Sequence, residues 1–531
     1  MSQKRILSGD EAVAYGALAA SVCLGSGYPG TPSTEILETF AGIGGAAEWA
    51  PNEKVALEVG IGVSFGGGRS IVTMKHVGLN VAADPLFTLT YTGVNGGLVI
   101  VSADDPGLAS SQNEQDNRNY AKAAKMLMLE PADSQEAYDF TIRAFELSEQ
   151  FNVPVLLRMT TRVCHSQGVV DLGEKPAPVP RKKYEKNVQK NVMVPAFAKK
   201  AHVRLENTMK DLAKFAETSD LEREEISSPE IGVICSGISY QHVREAMPSA
   251  SVLKLGLTWP LPMKKIAAFA RSVKRCVVME EGDRFLADAV SSAGIPVEAK
   301  DDSLLFGELN VNRVRKQLDR KFDPEKAPLP GRPPQLCPGC PHRKTFETLR
   351  DLGCIVSGDI GCYTLGTLPP FSAIDTCVCM GASIGVGLGL RRSLPEAEAR
   401  KVVSVIGDST FLHSGITGIV EMVYNRPASG HLVVILDNST TAMTGLQENP
   451  ATGHLLNMEP ATAVSLEALC RACGTDHVDV LDTTLEPERF KNLVRERLNS
   501  NDLSVIIARR PCILQMKKMA KFAKKKSGGA K

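Results

Sequence analysis

Two short apolar runs in the last third of the chain flank an amphipathic segment, which is the pattern of a βαβ unit. The first run, 402–406, is followed by Gly-Asp-Ser, and the second, 431–436, is followed by Asp-Asn. Mostly apolar runs of this length are typical of buried parallel strands. Helical spacing places four apolar residues of the intervening segment on one face: Ile416, Ile419, Val420 and Val423.

The carboxyl ends of neighbouring parallel strands meet at one edge of a sheet. The pattern therefore predicts that Asp408 and Asn438, thirty positions apart, lie side by side. Magnesium prefers oxygen ligands and often shares them with phosphate, so Asp408, the Asn438 amide oxygen and a nearby main-chain carbonyl could hold a magnesium diphosphate. A generic turn of a doubly wound domain gives the same spacing, and both interpretations stay open on spacing alone.

Helix signals also organise the N-terminal part of the chain. Ser8 or Asp10 can cap a helix with one small apolar face, and the Gly/Pro-rich turn 27–32 leads into a second helix. Because helix N-termini attract anions, a substrate carboxylate near Thr31 is physically reasonable, although an ordinary turn would look the same. A third helix opens at Glu53.

Strand and helix patterns then alternate, with predicted strands at 70–74 and 98–101 and a loop at 75–80, as in a doubly wound α/β domain. The polar segment 104–131 is longer than most connections, and such segments are often functional. Within it Arg118 is a candidate for a bidentate grip on a 2-oxo acid carboxylate; a surface salt bridge is the alternative.

Composition changes mark the domain organisation. We expect an N-terminal domain over 1–170, a linker over 171–228, a small middle α/β domain over 229–322, a Pro-rich linker over 323–335, a third domain over 336–514 and a basic tail over 515–531. The predicted fold class is therefore α/β, with two doubly wound parallel-sheet domains and a smaller α/β domain between them.

The overall composition narrows the classes of protein that need consideration. With 531 residues, 43% hydrophobic residues and a net charge of +1, the chain is expected to be globular. The net charge does not indicate binding to nucleic acid or to a membrane. Since no signal-peptide core or membrane-spanning run occurs, a cytoplasmic location is expected. Thirteen cysteines in such a chain indicate thiols and metal ligands more than disulfides.

Four of these cysteines are expected near the carboxyl edge of the third domain. Cys337 and Cys340 form a CxxC turn, Cys362 ends the strand-like segment SGDIGC, and Cys512 ends the last predicted strand, SVIIARRPC. They could ligate a [4Fe–4S] cluster or a zinc ion, or they could be unrelated thiols. Cys377 and Cys379 are less favoured ligands, because CxC is a poorer cluster spacing and the following Met380-Gly381 is expected to begin a helix that packs on the diphosphate.

The motifs together resemble the 2-oxoacid:ferredoxin oxidoreductases, and within them the α subunits of the indolepyruvate branch. The segment GDS…DN is similar to the GDG…N signature of thiamine diphosphate (ThDP) enzymes, with Ser409 in place of the commoner glycine after Gly407-Asp408. The other specific segments are GYPGTPS, NEKVALE, TMKHVGLNVAADP, SSQNEQDNR, CPGCPH, GDIGCYTLG and DTCVCMGASIG. Any one of them alone is weak, but the set spans residues 8 to 512.

The resemblance implies roles for individual residues. Asp408, Asn438 and the main-chain oxygen of Thr440 would ligate magnesium. Glu53 would contact the aminopyrimidine of ThDP, and we prefer it to Glu58 because it precedes Gly62 by nine positions, the usual spacing in ThDP enzymes. Thr31 and Arg118 would lie near the substrate. The four cysteines would hold one [4Fe–4S] cluster, and the middle domain would be transketolase C-terminal-like.

The resemblance further implies oxidative decarboxylation of an aryl 2-oxo acid with coenzyme A. The partners would be a β subunit, in an αβ or α2β2 assembly, and ferredoxin or another electron acceptor. Family α subunits usually continue into a ferredoxin-like domain after the position of Cys512, whereas this sequence continues into a lysine-rich segment that could attract an acidic acceptor. A non-redox ThDP decarboxylase and a non-catalytic docking subunit are the alternatives.

Overall fold

A computed structural model of the chain describes residues 3–174, 177–323 and 334–528, with side chains described as far as 522. The chain forms two compact units, Met1–Lys326 and Ala327–Lys531. Along the described ranges, no helix has the length and apolar character needed to cross a membrane.

The first unit contains thirteen strands and fourteen α-helices within the described ranges. The strands are β1 (Lys4–Ser8), β2 (Leu24–Gly27), β3 (Ala47–Trp49), β4 (Ser70–Lys75), β5 (Leu98–Asp104), β6 (Leu127–Leu129), β7 (Val155–Thr160), β8 (Gln167–Asp171), β9 (Arg223–Glu225), β10 (Ile231–Ser236), β11 (Ser251–Leu255), β12 (Leu257–Trp259) and β13 (Arg275–Met279). The helices are α1 (Gly9–Ala19), α2 (Thr34–Gly42), α3 (Glu53–Phe65), α4 (His76–Val81), α5 (Ala83–Thr92), α6 (Arg118–Ala124), α7 (Ser134–Phe151), α8 (Thr161–His165), α9 (Val188–Asn191), α10 (Pro195–Ala216), α11 (Ser239–Ala246), α12 (Met263–Ser272), α13 (Phe285–Ser292) and α14 (Val311–Gln317).

A seven-stranded sheet in the order β12-β6-β7-β5-β4-β2-β3 is the centre of the first unit. Its strands are parallel except β12, which pairs antiparallel with β6. The central strand β5 alternates its side chains between two cores: Val99 and Val101 pack in one, and Leu98 and Ile100 pack in the other. Helices thus cover both faces, which is why these strands read as continuous apolar runs.

A four-stranded sheet in the order β13-β10-β11-β9 forms the smaller layer of this unit. Strand β12, which follows β11 directly, leaves this layer and joins the seven-stranded sheet. The segment predicted as a linker contains the 22-residue helix α10, whose Leu205, Leu212 and Ala216 are buried. The predicted boundaries at 170, 229 and 322 stay predictions.

The second unit contains the strands β14 (Ile355–Ser357), β15 (Val402–Gly407), β16 (His431–Asp437), β17 (His477–Leu481) and β18 (Leu503–Arg509). Its helices are α15 (His342–Asp351), α16 (Ala382–Ser393), α17 (Glu396–Ala399), α18 (Asp408–Thr410), α19 (Ile416–Tyr424), α20 (Leu466–Ala472), α21 (Pro487–Asn499) and α22 (Ile513–Gly528), and a π-helical turn, Phe411–Gly415, joins α18 to α19. The five strands form one parallel sheet in the order β14-β15-β16-β18-β17, so their carboxyl ends share one edge.

The structure confirms the predicted α/β class and the two buried strands that flank Asp408 and Asn438. The predicted helix face between them is partly wrong. Ile419 is buried as expected, but Val420 is 51% exposed and Met422 is buried instead, because the π-helical turn rotates the following helix.

Two local predictions also differ. The segment after β4, expected as a loop, forms α4, and Cys362 begins a 3-10 turn instead of ending a strand. In the polar segment 104–131 the structure has the short helix α6 and strand β6.

Candidate functional site

Asp408 and Asn438 lie at the carboxyl edge of the five-stranded sheet, as the strand pattern predicts. Strands β15 and β16 are in parallel register with Gly407 opposite Leu436, so the residues that follow them are neighbours at the same edge. Both side chains are buried, Asp408 at 2% exposure and Asn438 at 7%. The edge therefore presents carboxylate and amide oxygens in a confined setting.

The Asp408 carboxylate is only partly satisfied. Its Oδ1 accepts a 2.8 Å hydrogen bond from the Ser409 N–H, whereas Oδ2 has no partner within hydrogen-bond distance among the described residues. Burial, together with the nearby Asp437 carboxylate, raises the pKa of Asp408 to about 8. A buried, unpaired carboxylate oxygen is costly unless a cation compensates it.

Side chains around Asn438 fix the loop that follows β16. Its Oδ1 accepts from the Thr440 N–H at 3.2 Å, and its Nδ2 lies 3.2 Å from Nε2 of His342. The Thr441 hydroxyl donates to the Ser409 hydroxyl at 2.8 Å, which links the two strand-end loops. Ser409, the departure from the usual glycine, is thus used to hold the two loops together.

Asp359 occupies the N-terminus of α16, next to Met380 and Gly381. Its carboxylate accepts hydrogen bonds from the N–H groups of Gly381 at 2.8 Å and Ser383 at 2.9 Å. Gly381 has φ +84°, and a Cβ there would meet the Ser414 hydroxyl at 2.1 Å, so glycine is required for the approach. The predicted contact of Met380 and Gly381 with a diphosphate stays a prediction. In the structure the N–H groups of Gly381 and Ser383 donate to the Asp359 carboxylate instead.

Sequence reasoning missed Asp359, although a signal was present. Gly358-Asp359 follows β14 just as Gly407-Asp408 follows β15, and the two strands are parallel neighbours. It also missed Asn449, whose buried Nδ2 lacks a partner among the described residues and whose side chain lies close enough to lower the pKa of Asp408. No strand or motif signal marks Asn449.

Four cysteines with free thiols form what we call the cysteine quartet: Cys337, Cys340, Cys362 and Cys512. Burial, with smaller contributions from the other three members, raises the pKa of the Cys340 thiol to about 11. Burial likewise raises the pKa of Cys362 to about 11, with contributions from Cys512 and Cys337. These mutual effects indicate that the four thiols are neighbours, while their role as ligands of one group stays a prediction.

The backbone ties the quartet to the Asp408–Asn438 edge. The Cys340 N–H donates to the Cys337 carbonyl at 2.9 Å, which closes the CxxC turn, and the Cys512 N–H donates to the Asn438 carbonyl at 2.9 Å. Cys377 and Cys379, the less favoured ligands, are exposed, and their pKa values respond to Asp359 instead of to the quartet.

Glu53 lies in the first unit, at the N-terminus of α3. Its side chain is buried, at 5% exposure, and packs on α4 so closely that a Cβ added to Gly78 would lie 2.6 Å from its Oε1. Glu58, the alternative carboxylate, is 45% exposed and pairs with Lys54 one helical turn away. The structure thus separates the two candidates by burial and favours Glu53 for contact with a confined ligand.

Thr31 lies in a turn at the carboxyl edge of the seven-stranded sheet. Gly30 packs against Lys75, so a Cβ at Gly30 would meet Cβ of Lys75 at 2.9 Å, and Ser33 closes the turn onto the Gly30 carbonyl. Lys75 is 9% exposed and donates to the Ser110 carbonyl at 2.7 Å. Burial lowers the pKa of Lys75 while Asp105 raises it.

Lys75 and His76 are further functional candidates. Both belong to the motif TMKHVGLNVAADP, but no role was predicted for either from the sequence. His76 is fully buried; its Nε2 lies 3.1 Å from the Asn113 carbonyl, and its Nδ1 has no partner in the described part of the chain. A buried cation and a half-satisfied imidazole beside the Thr31 turn suit an anionic substrate. Their position directly after β4 was the available signal.

Arg118 is placed differently from a substrate-gripping arginine. It is fully buried, and its guanidinium donates to Asp116 at 2.9 Å, to Glu280 at 2.7 Å and to the Glu281 carbonyl at 2.7 Å. Its proximity, against the effect of burial, holds the pKa of Asp116 well below the usual range. Because every guanidinium nitrogen is engaged, the structure favours a structural role, and contact with substrate stays a prediction.

Comparisons with known proteins identify two family models along the chain. Residues 15–224 match the family model "Pyruvate flavodoxin/ferredoxin oxidoreductase, thiamine diP-bdg", and residues 359–508 match "Thiamine pyrophosphate enzyme, C-terminal TPP binding domain". The first match contains Thr31, Glu53 and Arg118, and the second contains Asp408 and Asn438.

Curated relatives match the chain over nearly its full length. It is 39% identical to "Indolepyruvate oxidoreductase subunit IorA" of Archaeoglobus fulgidus and 41% identical to the protein of the same name of Methanothermobacter marburgensis; each match covers 96% of this chain and 87% of the relative. Among solved structures, 2-oxoglutarate:ferredoxin oxidoreductase from Magnetococcus marinus matches with a TM-score of 0.51 and 19% identity, over 59% of this chain and 65% of that one, which supports the fold.

Proposed function

Because the chain belongs to the 2-oxoacid:ferredoxin oxidoreductase family, we propose that it is the ThDP-binding subunit of an aryl 2-oxo acid oxidoreductase with indolepyruvate as the type of substrate. The reaction class, ThDP-dependent oxidative decarboxylation of a 2-oxo acid, follows from family membership. The overall change converts the 2-oxo acid and coenzyme A into CO2 and an acyl thioester, and it releases two electrons to an acceptor.

The observation that carries the proposal is the juxtaposition of two donor sets at one sheet edge. Asp408 has a buried carboxylate oxygen without a partner among the described residues, and the backbone of Asn438 is hydrogen-bonded to Cys512 of the cysteine quartet. Oxygen donors suit magnesium and four thiols suit an iron–sulfur cluster. A non-redox decarboxylase would need the first set but not the second.

Asp408, Asn438 and the Thr440 carbonyl would hold magnesium and, through it, the diphosphate of the cofactor. Carboxylate, amide oxygen and main-chain carbonyl form the hard donor set that magnesium prefers. The Ser409–Thr441 hydrogen bond keeps the two ligand loops together. Bound ThDP supplies an electron sink at the carbon from which CO2 departs.

Glu53 would hold a proton at the aminopyrimidine ring. A buried carboxylate that hydrogen-bonds a ring nitrogen stabilises the protonated ring and so assists proton transfer at the reacting carbon. Gly78 is the residue that leaves room for this side chain, since any Cβ there would displace Glu53. On the same unit, Lys75 and the Thr31 turn would orient the substrate carboxylate.

The cysteine quartet would hold one [4Fe–4S] cluster. Cys340 and Cys362 interact electrostatically with other thiols of the quartet, so four thiolates would be available for the irons of one cluster. A zinc ion held by the same four thiolates is the chemical alternative. The cluster would accept electrons one at a time beside the cofactor.

The remaining partners are proposed on the relatives' names and on charge. A "subunit" name for the relatives supports a β subunit for this chain, in an αβ or α2β2 assembly. Ferredoxin or another external carrier would take the electrons. Lys517, Lys518 and Lys521 of α22 would attract an acidic carrier, and this attraction would weaken as salt rises.

Product analysis of the full chain co-purified anaerobically with its partner tests the proposal. With indolepyruvate, coenzyme A and a one-electron dye such as methyl viologen, we expect acyl thioester, CO2 and two reduced dye molecules per turnover. We also expect a higher kcat/KM for indolepyruvate than for pyruvate. An aldehyde product without dye reduction would establish the decarboxylase alternative, and equal or better use of pyruvate would overturn the substrate assignment.

A further inference from the structure

A second cluster of ligand side chains lies in the first unit, and neither the ThDP chemistry nor the cysteine quartet uses it. The ligand atoms of Asp10, Glu35 and His165 lie within 4.8 Å of one another. The three residues come from three elements: the first turn of α1, the first turn of α2 and the last residue of α8. Their convergence is therefore a tertiary feature that no local sequence pattern imposes.

The close approach of α1 to α8 creates this cluster. A Cβ added to Gly9 would lie 2.1 Å from the Val163 carbonyl oxygen, so only glycine allows the two backbones to be in contact. This contact brings Asp10, next to Gly9, against Cys164 and His165, which follow Val163. Ser8 fixes the first turn of α1, because it caps the helix by accepting from the Glu11 N–H.

The environment of Asp10 indicates that the cluster binds a cation. It is 1% exposed, and neither carboxylate oxygen has a hydrogen-bond partner within normal distance among the described residues. A buried, unpaired carboxylate beside a second carboxylate is unfavourable unless a cation lies between them.

We propose that Asp10, Glu35 and His165 bind one divalent transition-metal ion, with zinc as the expected occupant. Two carboxylates and an imidazole are a donor set for zinc and related ions, whereas magnesium and calcium prefer oxygen donors alone. Glu11 is not a member, because its carboxylate Oε2 accepts from the Ser8 N–H at 2.8 Å in the capping box. Solvent or a partner group completes the coordination, since Glu35 and His165 are exposed.

The ion has a structural role beside the substrate turn. It ties α1, α2 and α8 together, and α2 begins three residues after Thr31. Helix α8 begins at Thr161, whose hydroxyl donates to Asp105 at 2.9 Å at the same sheet edge. Binding to the folded chain alone stabilises the fold by mass action, so zinc is expected to raise the unfolding midpoint.

Zinc stoichiometry of the full chain tests this site independently of the proposed activity. Chelator-treated protein is dialysed against zinc in excess Mg-ThDP, and bound zinc is measured by mass spectrometry. The wild type is compared with Glu35→Gln and His165→Gln, which change exposed side chains, and with Glu38→Gln as a matched control on α2. The cysteine quartet contributes equally to all four proteins, so differences report the new site.

We expect the wild type and Glu38→Gln to bind one more zinc ion per chain than Glu35→Gln and His165→Gln. Zinc should also raise the unfolding midpoint of the first two proteins by more than that of the other two. Asp10→Asn should lose the same ion and unfold at a higher temperature than metal-free wild type, because it removes the buried carboxylate. Equal stoichiometry in all variants, or loss of the ion in Glu38→Gln as well, would overturn the proposal.

Discussion

The backbone N–H of Cys512 donates a 2.9 Å hydrogen bond to the carbonyl oxygen of Asn438. The two residues are brought together because β16 and β18 pair in parallel with Asp437 opposite Arg509. A proposed cluster ligand and a proposed magnesium ligand are thus joined through main-chain atoms, so their side chains can be changed separately without breaking the connection.

Replacing Asp408 is expected to abolish cofactor binding. Asp408→Ala removes the unpaired carboxylate oxygen from the proposed magnesium site, and loss of a direct ligand should weaken Mg-ThDP binding by at least on the order of 100-fold. Thiamine content after gel filtration measures the effect. Asp351→Asn, an exposed change in the same unit, should retain the cofactor; full occupancy in Asp408→Ala would remove the magnesium assignment.

Replacing Glu53 is expected to separate binding from turnover. Glu53→Gln keeps the size of the side chain but cannot stabilise a protonated ring nitrogen, so ThDP should remain bound while kcat falls by roughly 100-fold to 10,000-fold. Glu58→Gln serves as the control on the same helix and should be fully active. The opposite result, an active Glu53→Gln and an inactive Glu58→Gln, would show that the other carboxylate was the functional one.

The space beside Glu53 gives a further prediction. In Gly78→Ala the new Cβ would lie 2.6 Å from Oε1 and 2.7 Å from Cγ of Glu53, so the carboxylate must move. We expect kcat to fall although Glu53 itself is unchanged. Gly42→Ala, where nothing lies within 4 Å of the new Cβ, should leave kcat as in the wild type. Unchanged kcat in both variants would mean that the position of Glu53 is not critical.

Replacing Cys512 is expected to remove iron but not thiamine. Cys512→Ser keeps the N–H that bonds Asn438, so the magnesium loop should stay in place while the cluster loses a ligand. Iron and sulfide per chain should therefore fall, with ThDP retained. Cys473→Ser, outside the quartet, should keep both. Loss of ThDP together with iron would contradict the separation.

The buried carboxyl of Glu281 is expected to make the free energy of unfolding depend on pH. Neither of its carboxylate oxygens has a partner within hydrogen-bond distance among the described residues, and burial raises its pKa to about 7 from the ordinary glutamate value of 4.5. The folded chain thus binds more protons than the unfolded chain between these pH values, so this contribution to stability is present at low pH and is lost as pH rises through 7.

Glu281→Gln should remove that loss. At pH 8 it should unfold with a free energy higher than that of the wild type by up to about 3 kcal/mol, and the difference should vanish toward pH 4.5. Denaturant unfolding of the full chain at several pH values measures this. Glu245→Gln, an exposed control, should show no such trend; a variant that is less stable at pH 8 would show that the Glu281 charge is compensated in the protein.

Features carried by local pattern could be predicted from the sequence. Buried parallel strands read as apolar runs, and the rule that their carboxyl ends share an edge placed Asp408, Asn438 and Cys512 together without coordinates. The helix start at Glu53 followed from the same kind of local signal, since Asn52 caps that helix by accepting from the Val55 N–H.

Features that depend on distant partners could not be predicted. Arg118 looked available for a ligand, but Glu280, 162 residues away, neutralises it inside the first unit. From the sequence, Asp10 was predicted only as a possible helix cap. The structure shows that Glu35 of α2 and His165 of α8 lie beside it. Periodicity reports which face of an element is buried, and it carries no information about which charged side chain of another element meets that face.

The central claim, that an electron acceptor lies beside the thiamine site, is tested most directly by electron paramagnetic resonance of the anaerobically purified complex mixed with indolepyruvate. We expect the signal of a reduced [4Fe–4S] cluster to appear with substrate in the wild type. The same signal should be lost in Cys512→Ser, which still contains ThDP. Release of CO2 from indolepyruvate by a wild-type complex that contains no iron and develops no such signal would contradict the claim.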